Sequence, residues 1–357
     1  MKSKILLSGF TRMAKRLALT GIMSGLSIIL FAQNQTPYYT KSVEASVNMV
    51  EVSTSGGSIL VAYEAGQKNR VEVYIKGNNG KDLTKAEIED RLNKSYDLVI
   101  ETSANRIKAI AKTKNGYNDW KNSLSISFKI YVPEKVDSDL KTSGGSISIK
   151  GMNGDHDFAT SGGSLSVAGM KGKLDGKTSG GSINVKDSEG EMELATSGGS
   201  ITADGCKGDI ELATSGGSLK LNNLNGTIDA YTSGGSISGN DVKGELKTST
   251  SGGSIKISQM RGSVDASTSG GSMDVAIVEF GNYVKLRNSA GSINLKMPAG
   301  KGANLDLKGN KVLVPNLTNF SGNASDDEVK GKINGGGIPV TVKASSGKIN
   351  ISFSDVQ

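Results

Sequence analysis

A five-residue motif, Thr-Ser-Gly-Gly-Ser, recurs along the chain at a fixed interval and limits the folds open to it. From Thr142 to Thr268 successive copies begin 18 residues apart, and an earlier copy begins at Thr54. Degenerate copies at Asn288 and Ala344 extend the pattern toward the C-terminus. A fixed period of this length is typical of solenoid proteins, in which each repeat packs only against its neighbours.

Apolar residues inside each period show which secondary structure fills it. In the period that begins at Thr196 they lie at Ile201 and Ala203, and again at Ile210 and Leu212. Because strand side chains alternate between two faces, each pair marks the inward face of a short strand. The motif threonine continues that inward face. We therefore expect stacked threonine or serine hydroxyls to bond one another along the axis.

Glycines hold two fixed places in the period, which indicates two turns. Gly208 lies between the two strands, and Gly198 and Gly199 lie inside the motif. Glycine at a fixed turn position implies a positive φ or a close backbone approach. The predicted fold is therefore all-β: a parallel β-solenoid of 18-residue coils with two strands per coil, stacked ~4.8 Å apart. Parallel crossover connections are nearly always right-handed, so we expect a right-handed coil.

The first 32 residues have the pattern of a signal peptide rather than of a fold. Lys2 and Arg16 bound a basic segment, an apolar run follows, and Ala32 is a small residue at the expected cut. This predicts export to the periplasm, the cell surface or the medium. With the five basic residues of this segment removed, the formal charge of +7 falls to about +2, so nucleic acid is not an expected partner. No transmembrane span is expected after signal removal.

The rest of the chain divides into three segments. Residues 33–139 form an irregular N-terminal cap that holds the first coil and an insertion of strands and a short helix. Thr84 and Glu87 have the capping-box spacing that opens such a helix. Residues 140–297 form the regular solenoid, and residues 298–357 form irregular last coils and a C-terminal cap. Caps are expected because an open solenoid exposes strand edges at its ends.

Few residues suggest chemistry. His156 takes an inward core position, so its neighbours Asp155 and Asp157 must point outward, which predicts a structural role. Cys206 replaces apolar residues of other coils and is expected to be a buried filler. Outward acidic residues stack into a column that begins near Asp157. Solvated charge is favoured over a calcium site there, because these acids lie on a strand face and not in a turn. We expect no cofactor, no metal and no catalytic residue.

The motifs resemble one known family. Repeated Thr-Ser-Gly-Gly-Ser-Ile units, the strand ending Tyr131-Val-Pro133 before the array and the closing Ser-Ser-Gly-Lys-Ile-Asn-Ile are similar to the putative adhesin family of exported bacterial β-strand-repeat proteins. The resemblance covers about Val43 to Phe353. It implies an exported, β-repeat architecture and supplies no catalytic or binding residues.

Two functions from different classes follow, with an enzyme as a third. The first is a non-catalytic envelope protein, an adhesin or scaffolding rod whose repetitive polar surface contacts an extracellular glycan or protein. The second is a glycan- or ligand-binding module that uses the N-terminal cap through Tyr117, Trp120 and Tyr131. A glycan-active β-helix enzyme is not favoured, because the array shows neither paired carboxylates nor aromatic platforms.

Overall fold

A computed structural model describes residues 36–44, 46–103, 105–114, 120–315 and 317–354. The predicted signal peptide at residues 1–32 therefore lies outside the described residues. The described part is almost entirely β-strand, with one α-helix, and most strands join a long, mostly parallel sheet. The all-β prediction is confirmed at this level.

The strands are numbered in chain order. The N-terminal part contains β1 (Tyr39–Ser42), β2 (Met49–Thr54), β3 (Ile59–Ala62), β4 (Arg70–Gly77), helix α1 (Lys85–Ser95), β5 (Tyr96–Ser103), β6 (Arg106–Thr113), β7 (Leu124–Tyr131) and β8 (Asp137–Thr142). The central part contains β9 (Ile147–Lys150), β10 (Asn153–Thr160), β11 (Leu165–Ala168), β12 (Lys171–Thr178), β13 (Ile183–Lys186), β14 (Glu189–Thr196), β15 (Ile201–Asp204), β16 (Lys207–Thr214), β17 (Leu219–Thr232), β18 (Ile237–Thr250), β19 (Ile255–Thr268) and β20 (Met273–Asn288). The C-terminal part contains β21 (Ile293–Pro298), β22 (Ala303–Lys308), β23 (Lys311–Leu313), β24 (Phe320–Ala324), β25 (Glu328–Ile333), β26 (Ile338–Ala344) and β27 (Lys348–Ser354). Two 3-10 turns lie at Asn78–Gly80 and Trp120–Asn122.

Strands of the central part pair in parallel with the equivalent strand of the next repeat unit. Leu165 of β11 pairs with Ile183 of β13, and Leu174 of β12 pairs with Met192 of β14. Like side chains therefore stack on like side chains along the axis of the stack. The predicted inward residues are buried throughout, including Leu212, which is fully shielded from solvent.

The corner between the two strands of a unit uses a left-handed backbone. Gly151 and Gly169 have φ values of 72° and 62° there, and Asp187 and Asn223 adopt 49° and 53°. Asn, Asp and Gly are the residues that adopt this conformation most readily. In β17, β18 and β19 the two predicted strands of a unit run on as one continuous strand, although a left-handed residue persists within each, at Asn223, Asp241 and Gln259. Strand β20 is also continuous and has no left-handed residue.

Threonine hydroxyls of the motif bond to backbone, not to one another. Thr160 Oγ1 donates to the carbonyl oxygen of Gly145 in the preceding unit at 2.7 Å, and accepts from the Gly163 amide at 3.3 Å. The prediction that threonine hydroxyls bond one another along the axis was therefore wrong. At the corner the backbone leaves the strand ladder, so carbonyls and amides there need a side-chain partner. The last serine of each motif acts similarly: Ser146 Oγ accepts from the Ser164 amide at 3.1 Å.

The N-terminal segment closes one end of the sheet with antiparallel strands. In this segment β2 lies between β6 and β8, and β3 lies between β7 and β9, all in parallel. Strand β4 covers β7 and strand β5 covers β6, both antiparallel, and β1 adds to β4. Helix α1 joins β4 to β5 and begins at a complete capping box between Thr84 and Glu87, as predicted.

The C-terminal segment is arranged in the same way. Strand β26 lies between β20 and β22, and β27 lies between β21 and β23, again in parallel. Strands β25 and β24 then add antiparallel outside β22. The last unit in the chain is therefore not the last unit in the stack. The repeat pattern does not predict this order, because every unit presents the same inward residues.

Candidate functional site

An open groove runs along the axis on the outer surface of the stack, beside the motif threonines. Its volume is about 740 Å³. The residue before each threonine forms one side, and the first serine of each motif forms the other. We call it the axial groove, and its lining residues are Ala159, Lys177, Ser179, Ala195, Ser197, Ala213, Ser215, Tyr231, Ser233, Ser249 and Ser251, with the motif threonines at its base. Alanine and serine leave the space that larger side chains would fill.

The first serine of the motif differs from the last, because its side-chain hydroxyl is not used in hydrogen bonding. In six successive units these serines are exposed, and their hydroxyls make no hydrogen bond within the described part of the chain; they are Ser161, Ser179, Ser197, Ser215, Ser233 and Ser251. Their hydrogen bonds are made by backbone groups: the Ser179 carbonyl oxygen accepts from the amide of Gly198 at 2.9 Å, and the Ser197 amide donates to the carbonyl oxygen of Thr178 at 3.3 Å. The groove therefore carries a regular row of free hydroxyls, one every ~4.8 Å along the stack.

Acidic side chains flank the groove on the outer face of the long strands. The register stacks seven carboxylates directly on one another, which we call the acidic column: Glu51, Asp139, Asp157, Asp175, Glu193, Glu211 and Asp229. Lys141 pairs with Asp139 at 2.8 Å, and Lys177 pairs with Asp175 at 3.0 Å and Glu193 at 3.1 Å. Within the described residues, Glu211 and Asp229 have no cationic partner within ion-pair distance.

Tyr231 is the one aromatic side chain among the described residues that line the axial groove. Its side chain is 37% exposed and lies two residues after Asp229 of the acidic column, on the same face of β17. Partial burial and then the charges of Asp229 and Glu211 raise the pKa of its phenol. It therefore stays protonated at neutral pH and presents an apolar ring beside two carboxylates.

The groove surface extends beyond the main cavity toward the C-terminal end of the stack. A second opening of about 280 Å³ lies on the same rows of residues, with Ser267, Ser269 and Ser289 in its lining. Arg287 stands there in the row of Tyr231 and pairs with Asp265 at 2.6 Å. The polar surface of the axial groove therefore continues toward this end, where the charge of Asp265 is balanced by Arg287.

Of the residues predicted from sequence as ligand contacts, the structure describes Tyr131 and the backbone of Trp120. Tyr131 ends β7, and the guanidinium of Arg70 lies 3.8 Å from its ring centroid. Trp120 begins the 3-10 turn before β7, so the whole of β7 lies between the two residues along the chain. Tyr117 and the side chain of Trp120 lie outside the described residues. The cap hypothesis stays a prediction.

His156 is buried in the core as predicted, with Asp155 and Asp157 exposed on either side of it. Its Nδ1 lies 2.9 Å from Ser138 Oγ, and its Nε2 has no hydrogen-bond partner among the described residues. Burial lowers the pKa of the imidazole to about 4. The ring is therefore neutral at physiological pH and acts as core packing.

This histidine should make the protein sensitive to acid. The folded pKa of about 4 lies below the ordinary 6.5, so the unfolded chain takes up the proton first as pH falls. The free energy of unfolding should therefore decrease between about pH 6.5 and pH 4, by about 3 kcal/mol. In His156→Leu this part of the loss should vanish, since Leu174 fills the same position one unit later. Urea unfolding of both proteins at pH 7 and pH 4 measures the difference, and parallel losses would contradict the assignment.

Cys206 is fully buried, and burial raises the pKa of its thiol, as expected of a core filler. No group of three or more His, Cys, Asp or Glu side chains that could hold a metal ion occurs among the described residues. In the same residues no helix is long and apolar enough to cross a membrane.

Two features of the site were missed from the sequence. Tyr231 falls at an outward position that Ala, Lys and Ser fill in other units, so its place in the period marks it as a surface aromatic. The unused serine hydroxyls were also missed, because a motif serine at a turn is usually explained by backbone bonding. Only the hydrogen-bond pattern distinguishes the first serine of the motif from the last.

Comparison with known proteins gives distant structural neighbours. No family model matches the chain, and no curated protein matches it. A "putative cell adhesion protein" from Clostridium sporogenes ATCC 15579 is 12% identical, with a TM-score of 0.19, over 89% of this chain and 100% of its own. A "putative adhesin" from Bacteroides fragilis NCTC 9343 is 12% identical, with a TM-score of 0.25, over 88% of this chain and 95% of its own.

A third neighbour has a different description. It is a "putative lipid binding protein" from Parabacteroides distasonis ATCC 8503, 16% identical with a TM-score of 0.31, over 89% of this chain and 96% of its own. The descriptions of the first two agree with the adhesin resemblance of the sequence motifs. At these TM-scores function has to be argued from the geometry of this chain.

Proposed function

We propose that this chain is a non-catalytic exported binding protein, an adhesin or scaffolding component that holds an extended partner in the axial groove. The observation that carries the proposal is the row of exposed serine hydroxyls without a bonding partner in the described structure. A row of identical weak contacts binds a long partner through their number, since each bound contact raises the effective concentration of the next.

The lining of the groove supports binding rather than catalysis. Its described titratable side chains are Lys177 and Tyr231, and Lys177 is engaged by two carboxylates. A nucleophile or general base needs a partner within hydrogen-bond reach to activate it. In this proposal the stack is a right-handed solenoid, which is the hand that parallel crossovers adopt in almost all cases.

Blocking the groove tests the proposal. Purified wild-type protein should be retained by envelope material from the bacterium that produces it, and a Ser215→Trp, Ser233→Trp double variant should lose most of that retention. Asn184→Trp is the matched control, because Asn184 is exposed on β13, away from the groove. Equal retention of all three proteins would overturn the proposal.

Protease treatment of intact cells, followed by detection of the chain, tests the exported location.

A further inference from the structure

The charge beside the groove narrows the chemistry of the partner. Like charges stacked in register repel each other by roughly 1 kcal/mol per pair at ~4–5 Å in water. The fold does not require an acidic residue at this position of the unit, since Lys247 occupies it in the unit stacked on that of Asp229. The chain nevertheless stacks seven carboxylates there, and no cation of the described residues pairs with Glu211 or Asp229. A partner with positive charges would relieve this repulsion.

Tyr231 adds an apolar face at the same place. Its exposed ring lies in the groove between small residues, Ala213 and Ser249, so a flat ligand group has room to lie against it. An aromatic face attracts both apolar ring surfaces and ammonium groups. The partner should therefore combine rings that have apolar faces with positive charge.

The spacing of the hydroxyls favours a sugar chain over a peptide. Serines recur every ~4.8 Å, whereas an extended peptide advances ~3.3 Å per residue and falls out of step with them. A pyranose ring in an extended linear polysaccharide is about as long as one step of the stack. Its hydroxyls can then meet one serine per sugar, both as donors and as acceptors.

We propose that the axial groove binds a linear polysaccharide that carries free amino groups, with Tyr231 against a sugar ring and Glu211 and Asp229 paired with ammonium groups. Each charged pair is a charge-assisted hydrogen bond, and the serine row supplies the neutral ones. This inference rests on the function proposed above and adds the chemical class of the partner.

Oligosaccharides of matched length test the charge requirement. A glucosamine hexamer, its fully N-acetylated counterpart and hexalysine are titrated into the purified protein by calorimetry. The glucosamine hexamer should bind at least about tenfold more tightly than the neutral hexamer, and binding should weaken as salt is added. Binding of hexalysine as tight as that of the glucosamine hexamer would show attraction to charge alone and would overturn the inference.

Variants locate the site. Tyr231→Ala and Glu211→Lys should each weaken binding of the glucosamine hexamer by about tenfold or more, and Tyr231→Phe should retain it, because the ring face remains. Glu189→Lys is the matched charge control, since Glu189 is exposed at the opposite end of β14 from the groove. Equal weakening by Glu189→Lys and Glu211→Lys would contradict the placement.

Failure of this inference and failure of the proposed function give different results. If no amino sugar chain binds but the tryptophan double variant still loses envelope retention, the groove binds a partner of other chemistry and only the polysaccharide assignment falls. If the double variant is retained like the wild type, the groove is not the binding surface and both proposals fall.

Discussion

Gly199→Ala is expected to destabilise the protein by about 3–5 kcal/mol, whereas Gly198→Ala, one residue away, should change stability by less than about 0.5 kcal/mol. A Cβ at Gly199 would overlap the carbonyl oxygen of Gly181 in the preceding unit. Backbone cannot move aside there without breaking the stacking of units. A Cβ at Gly198 has 3.5 Å to its nearest neighbour, the carbonyl oxygen of Ser179, which is ordinary contact.

Thermal and urea unfolding of the two variants measure the contrast. Both variants carry the same methyl group on adjacent residues of one motif, so composition and propensity are matched. Similar losses in both would mean that the glycine pair serves backbone flexibility in general. A loss confined to Gly199→Ala would show that the second glycine is needed because two units approach too closely for any side chain.

Leu212→Lys is expected to cost at least about 4 kcal/mol, because it places an unpaired charge in the core. Leu212 is fully buried between equivalent residues of the adjacent units, Leu194 and Ala230. Glu211→Lys is its control. Glu211 is exposed and is stacked between Glu193 and Asp229, so lysine there removes repulsion and should leave stability within about 0.5 kcal/mol of the wild type.

Far-ultraviolet circular dichroism during urea unfolding separates these two outcomes. If Leu212→Lys fails to fold, Leu212→Ala provides a graded measurement, with an expected loss of about 2–5 kcal/mol. Equal stability of the two lysine variants would mean that the assigned inward and outward faces are reversed. The Glu211 variant also enters the binding experiments, so its unchanged stability matters there.

Much of the central fold follows from the sequence because one rule generates it. Side-chain alternation assigns Leu212 to the core and Glu211 to the surface, and the fixed period implies that each residue lies on its counterpart in the next unit. The helix start at Thr84 is equally local, since the capping box needs only the spacing of two residues. These predictions depend on short-range geometry and were confirmed.

Other features depend on information that a periodic pattern does not hold. The pattern implies that β27 pairs with an equivalent strand, but β21 and β23 both qualify, so spatial order at the ends stays open. The left-handed corner at Asn223 and Gln259 was missed because only some units place glycine there. The predicted ligand contacts were chosen because they are aromatic residues of the cap. Tyr231 becomes a candidate only because the structure shows the groove beside it.

The placement of the final strands has a mechanical consequence. Strand β27 is bonded on both edges, to β21 on one side and to β23 on the other, and β2 near the start of the described chain is likewise bonded to β6 and β8. A terminal strand with one free edge peels away one bond at a time under a pulling force. Tension applied beyond β27 must therefore rupture two ladders together, whereas tension applied ahead of β1 first meets the single ladder between β1 and β4.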